Sequence, residues 1–271
     1  MMTSSRVDTP TGPAAPGVTR PDGVAHAYGG TVDATRSAAH PATLQSIVDT
    51  LLIAERLMVT FYYGALTSPE IMHDPRLGGP SADPNNPGLP PGGNPSHVRY
   101  LQAALDAEVK HAAALAATGA VAPYRRFYVP ANSFKRVGIS VDQVTFLGTM
   151  EILERICVAA YATAVDLFVT LGRADLAGVA AALMGVEAEH RALGRVIAAM
   201  RPANNLTLEQ EPFAGLDALR AALNPFLTGR RYLFASDTSR AAVLPTPAQT
   251  ARVIGGHGTR QVHNFLLLGG G

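Results

Sequence analysis

Two Glu-x-x-His pairs, Glu108/His111 and Glu187/His190, each lie inside an apolar stretch and constrain the fold more than any other feature of the chain. Residues three apart share one face of a helix, so each pair can aim a carboxylate and an imidazole at one point. A lone glutamate in another apolar stretch precedes each pair, Glu55 before the first and Glu154 before the second. All four glutamates fall on apolar stripes. Glu154 sits between Met150 and Val158 at four-residue steps, Glu187 follows Leu183, and Glu108 follows Ala104 and Leu105. An unpartnered buried carboxylate is strongly unfavourable, and four on facing stripes repel one another too much to stay ionised together. Two divalent cations would balance four carboxylates, with His111 and His190 as neutral nitrogen donors. Carboxylate with imidazole suits iron or manganese.

The spacing adds an internal symmetry. Glu154 and Glu187 are 33 positions apart and Glu55 and Glu108 are 53 apart, an excess of 20 that matches a Pro/Gly-rich insertion between Met72 and Pro95. With it removed, the halves read as two helical hairpins facing each other across a shared site. Each lone glutamate also has a tyrosine seven residues later, Tyr62 after Glu55 and Tyr161 after Glu154. Seven residues is about two turns, so each tyrosine stays on its glutamate's face, as a core residue or as a hydroxyl supporting a ligand.

Four long helices follow from the apolar periodicity. The first covers Thr43 to Leu66, closed by Ser68-Pro69; the second covers Ser96 to Thr118, with Ser96 as cap and Gly119 as stop. A capping box at Ser140-Val141-Asp142-Gln143 opens the third, which ends near Gly172. The fourth runs from Ala174 to Met200 and stops at Pro202. Residues 120–139 are irregular and long enough to cross the bundle, so that the second and third helices run parallel. Shorter helical segments follow at Gly215 to Phe226 and Pro247 to Val253, and nothing alternates for long enough to suggest a sheet. The expected architecture is all-α: a disordered or draped arm (1–40), a four-helix bundle with one long crossover (41–202), and a C-terminal extension packing on it (203–271). The Met72–Pro95 loop reads equally as a lid or a plain insertion.

Composition removes several classes of function. Lys plus Arg number 22 against 21 Asp plus Glu, a net charge of +1, which gives no reason to expect nucleic acid or an anionic membrane as partner. Arg125, Arg126, Lys135 and Arg136 form the one local basic cluster and read as a solvated loop. The single cysteine, Cys157, excludes an intramolecular disulfide framework and cysteine-based metal sites; it reads as a buried inert thiol. No stretch has the length of a membrane span or the apolar core of a secretory signal, so the chain as written reads as cytoplasmic. Glu151 competes with Glu154, but it can pair with Arg155, and only Glu154 keeps the 33-residue spacing. Glu189 points away from its neighbouring pair, and the remaining histidines read as surface residues.

The order Glu, Glu-x-x-His, Glu, Glu-x-x-His is the ligand pattern of two-metal carboxylate sites in four-helix bundles. The chain resembles the ferritin-like superfamily, and within it the bacterial and fungal ferritin-like proteins often labelled desiccation-related. The resemblance runs through Leu52-Ile53-Ala54-Glu55 to Phe61-Tyr62, Asp106-Ala107-Glu108-Val109-Lys110-His111, Leu153-Glu154 to Tyr161, and Val186-Glu187-Ala188-Glu189-His190, with a weaker match around Thr246-Pro247-Ala248-Gln249. It implies Glu55, Glu108, His111, Glu154, Glu187 and His190 as ligands to two divalent metal ions, iron favoured over manganese. The expected function is a non-haem oxidoreductase activating dioxygen or peroxide, with any organic substrate left open. Two alternatives stand beside it: an iron-sequestering ferroxidase, for which a homo-oligomer would be expected, and a non-enzymatic stress-related protein held together by its metals.

Overall fold

A computed structural model describes residues 42–79, 93–138, 144–229 and 238–255. The proposed N-terminal arm, the centre of the Pro/Gly-rich insertion and the Ser140–Gln143 capping box lie outside those residues. The four long helices are α1 (Leu44–Leu66), α3 (Pro95–Ala117), α4 (Phe146–Thr170) and α5 (Ala174–Ile197), with a single turn, α2 (Pro69–Met72), after the first. Two further helices, α6 (Leu216–Thr228) and α7 (Pro247–Ile254), lie in the C-terminal region.

The ends of these helices follow local chemistry. Thr43 caps α1 through a reciprocal pair with Ser46, at 3.1 and 2.9 Å. Asn94, not Ser96, caps α3, because Pro95 can occupy the first helical position, where its missing N–H costs nothing. The third long helix starts at Phe146 with Thr145 as cap, later than the Ser140 start the sequence suggested. Helix α4 ends before Gly172, whose φ of 71° suits a residue without a side chain. No side chain caps α5, but Asp175 in its first turn and Arg195 in its last complement the helix dipole.

The helices pair as α1 with α3 and α4 with α5, and the pairs join along α1–α4 and α3–α5. Apart from α7, which packs mainly on α3, most other packing falls on the α1–α4 side. There the connection after α3 forms a strand, β1 (Arg126–Pro130), and a short 3-10 turn (Ala131–Phe134). The strand pairs antiparallel with β2 (Ser239–Val243), which corrects the expectation of no sheet. Five-residue strands far apart in sequence, one of them almost wholly exposed, carry too little alternation to be seen in advance. Arg126 is exposed on β1 rather than in a loop.

Beneath the sheet, Phe61 stacks on Phe146 with ring centres 5.3 Å apart and meets Phe134 at 5.9 Å. Phe134 comes so close to α1 that a Cβ on Gly64 would lie 2.5 Å from its ring. Helix α6 packs on α1, α4 and β1, and α7 packs on α3 and α1. Gln102 anchors α7 by donating to the Val253 carbonyl at 2.8 Å. The ends of the insertion meet where Asn94 N–H donates to the Leu77 carbonyl at 2.6 Å. Among the described residues, no helix is long and apolar enough to cross a membrane.

Candidate metal centre

All six residues singled out by the sequence converge in the middle of the bundle. They form two overlapping groups: Glu55, Glu108, His111 and Glu187, and Glu108, Glu154, Glu187 and His190. Within each group, one ligating atom from every residue lies within 4.8 Å of the others. Each long helix contributes its share through local spacing. Helices α1 and α4 bring one glutamate each, while α3 and α5 bring a glutamate and, one turn later, a histidine. Glu108 and Glu187 belong to both groups, so the cluster has two halves with a shared middle.

The four glutamates are fully buried, and the two histidines are 6% exposed. Such groups normally have partners, yet both oxygens of Glu108 and Glu187, Oε2 of Glu55 and Glu154, and Nδ1 of both histidines have no hydrogen-bond partner. The remaining carboxylate oxygens are satisfied by tyrosines. Tyr161 donates to Glu55 Oε1 and Tyr62 donates to Glu154 Oε1. Each tyrosine lies two turns from the glutamate of its own helix but serves the other helix's glutamate. Because the Glu–Tyr order is reversed between the partners, these crossed bonds show that α1 and α4 run antiparallel.

The distances test whether a cation fits. Donors bound at roughly 2.0–2.2 Å around one metal stand about 3–3.5 Å from each other. His111 Nδ1 lies 3.5 Å from Glu55, 3.6 Å from Glu108 and 3.2 Å from Glu187. His190 Nδ1 lies 2.8 Å from Glu108, 3.8 Å from Glu154 and 3.7 Å from Glu187. The His111 set falls close to the spacing of donors around a single ion, and the His190 set spans it more loosely. The residues therefore fit a metal, and most of the atoms that would bind it are unpaired; the Glu154 oxygen nearest His190 is the one that accepts from Tyr62.

Without cations the same atoms compete for protons. Burial, followed by the Glu108 and Glu187 charges, pushes the Glu55 carboxyl well up. Burial also raises Glu154, against the attraction of His190, and repulsion from Glu187 and Glu108 adds to the rise. Burial would raise Glu108 too, but the close approach of the His111 and His190 imidazoles overcomes it and holds that carboxyl far below its usual range. Burial by itself would lower both histidines; the surrounding carboxylates reverse that and raise them well above 6.5. Protons thus do part of the charge balancing that cations could do. The Cys157 thiol is pushed up by burial and by all four carboxylates, so it stays protonated, as an inert core thiol should.

The competing residues are accounted for. Glu189 is exposed on α5. Glu151 bridges α4 and α5 by accepting from Arg191 at 2.8 Å and Arg195 at 2.8 and 3.0 Å. Its i,i+4 relation to Arg155, the partner the sequence suggested, missed this contact between helices. Both arginines also hold the following loop: Arg191 donates to the carbonyls of Leu206 and Thr207, and Arg195 to that of Asn205. His97, expected at the surface, is half-buried and lies 2.8 Å from the Arg76 carbonyl through Nδ1.

No curated protein and no solved structure matches the chain significantly. A family model does: the ferritin-like domain aligns with residues 43–199, more than half of the chain, and covers all four long helices with all six cluster residues. The buried Glu/His cluster, the helical bundle and that match agree, and the chain belongs to the ferritin-like domain family.

Proposed function

We propose that the protein holds two divalent metal ions in this cluster, iron in preference to manganese, and acts as a non-haem oxidoreductase on dioxygen or peroxide. The observation that carries the reading is the sharing of Glu108 and Glu187 between two four-residue groups whose inward-facing atoms lack partners. Oxygen and imidazole donors in this ratio suit iron and manganese. When bound, such ions supply Lewis acidity and electrons to an oxidant. The chain's own part is to place and protect them. Glu108 and Glu187 reach both positions, Glu55 and His111 complete one, and Glu154 and His190 complete the other. Full burial of the carboxylates excludes bulk water and strengthens their hold on a cation.

The test is to load the full chain with ferrous iron under anoxia, measure bound metal, and then follow consumption of oxygen or hydrogen peroxide. Metal-dependent consumption that disappears in Glu108→Gln is expected. Less than one metal per chain after careful loading would contradict the proposal.

The closed site favours a second reading, in which ferrous iron is itself the substrate and the protein is an iron-sequestering ferroxidase. Carboxylates with no exposed surface leave little for an organic molecule to touch. A large hollow oligomer by light scattering would support this reading, and a monomer or dimer would count strongly against it.

A further inference from the structure

The two hairpins bring matching ligands to the centre, but the layers beyond them differ in charge. Glu151 and Arg191 lie one turn from Glu154 and Glu187 on the same helix faces, and Arg195 lies one turn beyond Arg191. Arg191 donates to Glu151 at 2.8 Å, and Arg195 donates to it at 2.8 and 3.0 Å. Tyr161, on the other side of Glu154 along α4, reaches Glu55, so this layer stands away from the Glu55 half. The same offsets from Glu55 and Glu108 in the first hairpin give Leu52, Ala112 and Ala116. One half of the cluster is therefore backed by apolar side chains and the other by two guanidiniums that share one carboxylate. The side chains of Arg191 and Arg195 are only 8% and 11% exposed. Their further hydrogen bonds go to the carbonyls of Leu206, Thr207 and Asn205, which carry no net charge.

Given the metal reading above, we infer that the Glu151–Arg191–Arg195 layer makes the Glu154/His190 position the weaker of the two metal positions. A layer with an excess of positive charge repels a divalent cation, and burial limits the screening of that repulsion. Other charges do not remove the difference. Arg56 and Arg155 follow the two lone glutamates alike. Lys110, beside His111, pairs with Asp106 at 2.6 Å. Glu189, beside His190, is exposed, where water and salt screen it. The distances run the same way: carboxylates stand 3.2–3.6 Å from His111 Nδ1 but spread from 2.8 to 3.8 Å around His190 Nδ1. The chain is thereby built to retain one ion while the other exchanges.

Stepwise manganese(II) binding to the full-length protein, measured by calorimetry, provides the test. One unit charge about 10 Å from a divalent ion, at an effective dielectric of about 20, changes affinity by on the order of 100-fold, and screening leaves about 10-fold as the expected scale. Wild type should bind two ions in steps about 10-fold or more apart, and His190→Ala should lose the weaker step. Glu151→Gln removes the counter-charge and should weaken the second step by about 10-fold. Arg195→Gln removes one cation and should strengthen that step by a similar factor, while Arg195→Lys, which keeps the charge, should match wild type. Opposite shifts separate charge from bracing, because a bridge that only ties helices together would weaken binding in both glutamine variants. Weakening in both, no change in either, or equal shifts of the two steps would overturn the inference. Where a glutamine variant does not fold by circular dichroism, His190→Ala still decides, since loss of the tighter step there would overturn it. A wild-type protein that binds no manganese would overturn the metal reading as well. Two bound ions with unshifted variants would overturn this inference alone.

Discussion

The two sides of the bundle meet at one cluster but are built differently. On α1 and α4, fifteen of 23 and fifteen of 25 residues are buried; on α3 and α5 only eight of 23 and nine of 24 are. The covered side carries the sheet, α6 and the Phe61–Phe146 stack, and brings the lone glutamates with their tyrosines. The open side brings the Glu-x-x-His pairs, and its histidines are the most exposed residues of the cluster. Dense packing and access to solvent thus fall on different helices. One pair of helices supplies a fixed back wall, and the other places nitrogen donors nearest to solvent.

Stability measurements can break that comparison. Phe61→Ala on the covered side should cost about 3–5 kcal/mol, the usual range for emptying a buried aromatic site. A loss near zero in chemical denaturation would show that the stack is not part of the wall. Glu151→Ala probes what joins an open helix to a covered one. It strips the acceptor from Arg191 and Arg195, which are nearly buried, but water reaches the position because Glu151 is 32% exposed. The expected loss is roughly 1–3 kcal/mol, below the full cost of a broken buried pair.

Effects of pH sharpen the role of the cluster. In metal-free protein, Glu55 and Glu154 have values raised above 4.5, and His111 and His190 above 6.5. The folded state therefore holds more protons than the unfolded one in that range, and stability falls as pH rises. Glu108 is shifted down, so its stabilising contribution is constant above 4.5 and is lost only as pH falls below that value. The melting temperature of the apoprotein should decrease from pH 5 to pH 8. Metal binding displaces those protons, so manganese affinity should increase over the same interval. Parallel trends with and without metal would contradict this account. The smallest change is expected on the open face, where Tyr100 is 52% exposed. Tyr100→Ala should alter stability by no more than about 0.5 kcal/mol.

What could be read in advance divides along the same physical line. Residues three, four or seven apart on one helix have a fixed relation, so the six cluster residues and the four long helices were legible from spacing and apolar stripes. Relations between helices were not. Tyr62 shares a face with Glu55, but its partner is Glu154, because that choice depends on α1 and α4 running antiparallel. Glu151 reaches past its own helix to Arg191 and Arg195 for the same reason. The β1–β2 pair is also a tertiary product: Ser-Arg-Ala-Ala-Val has no strand pattern until Arg126–Pro130 lies beside it. The cap of α3 was a different kind of miss. Asn94-Pro95 carried the signal, and Ser96 was simply the wrong choice beside it.

Glu108 and Glu187 belong to both halves of the cluster, while Glu55 and Glu154 belong to one each. Bound-metal stoichiometry in wild type, Glu187→Gln and Glu55→Gln, measured on folded protein after anaerobic loading, tests it most directly. Two metals per chain are expected in wild type, with a loss approaching both in Glu187→Gln and retention of about one in Glu55→Gln, the ordering that a carboxylate shared by two ions requires. Equal losses in the two variants, or wild-type protein with less than one metal per chain, would contradict it.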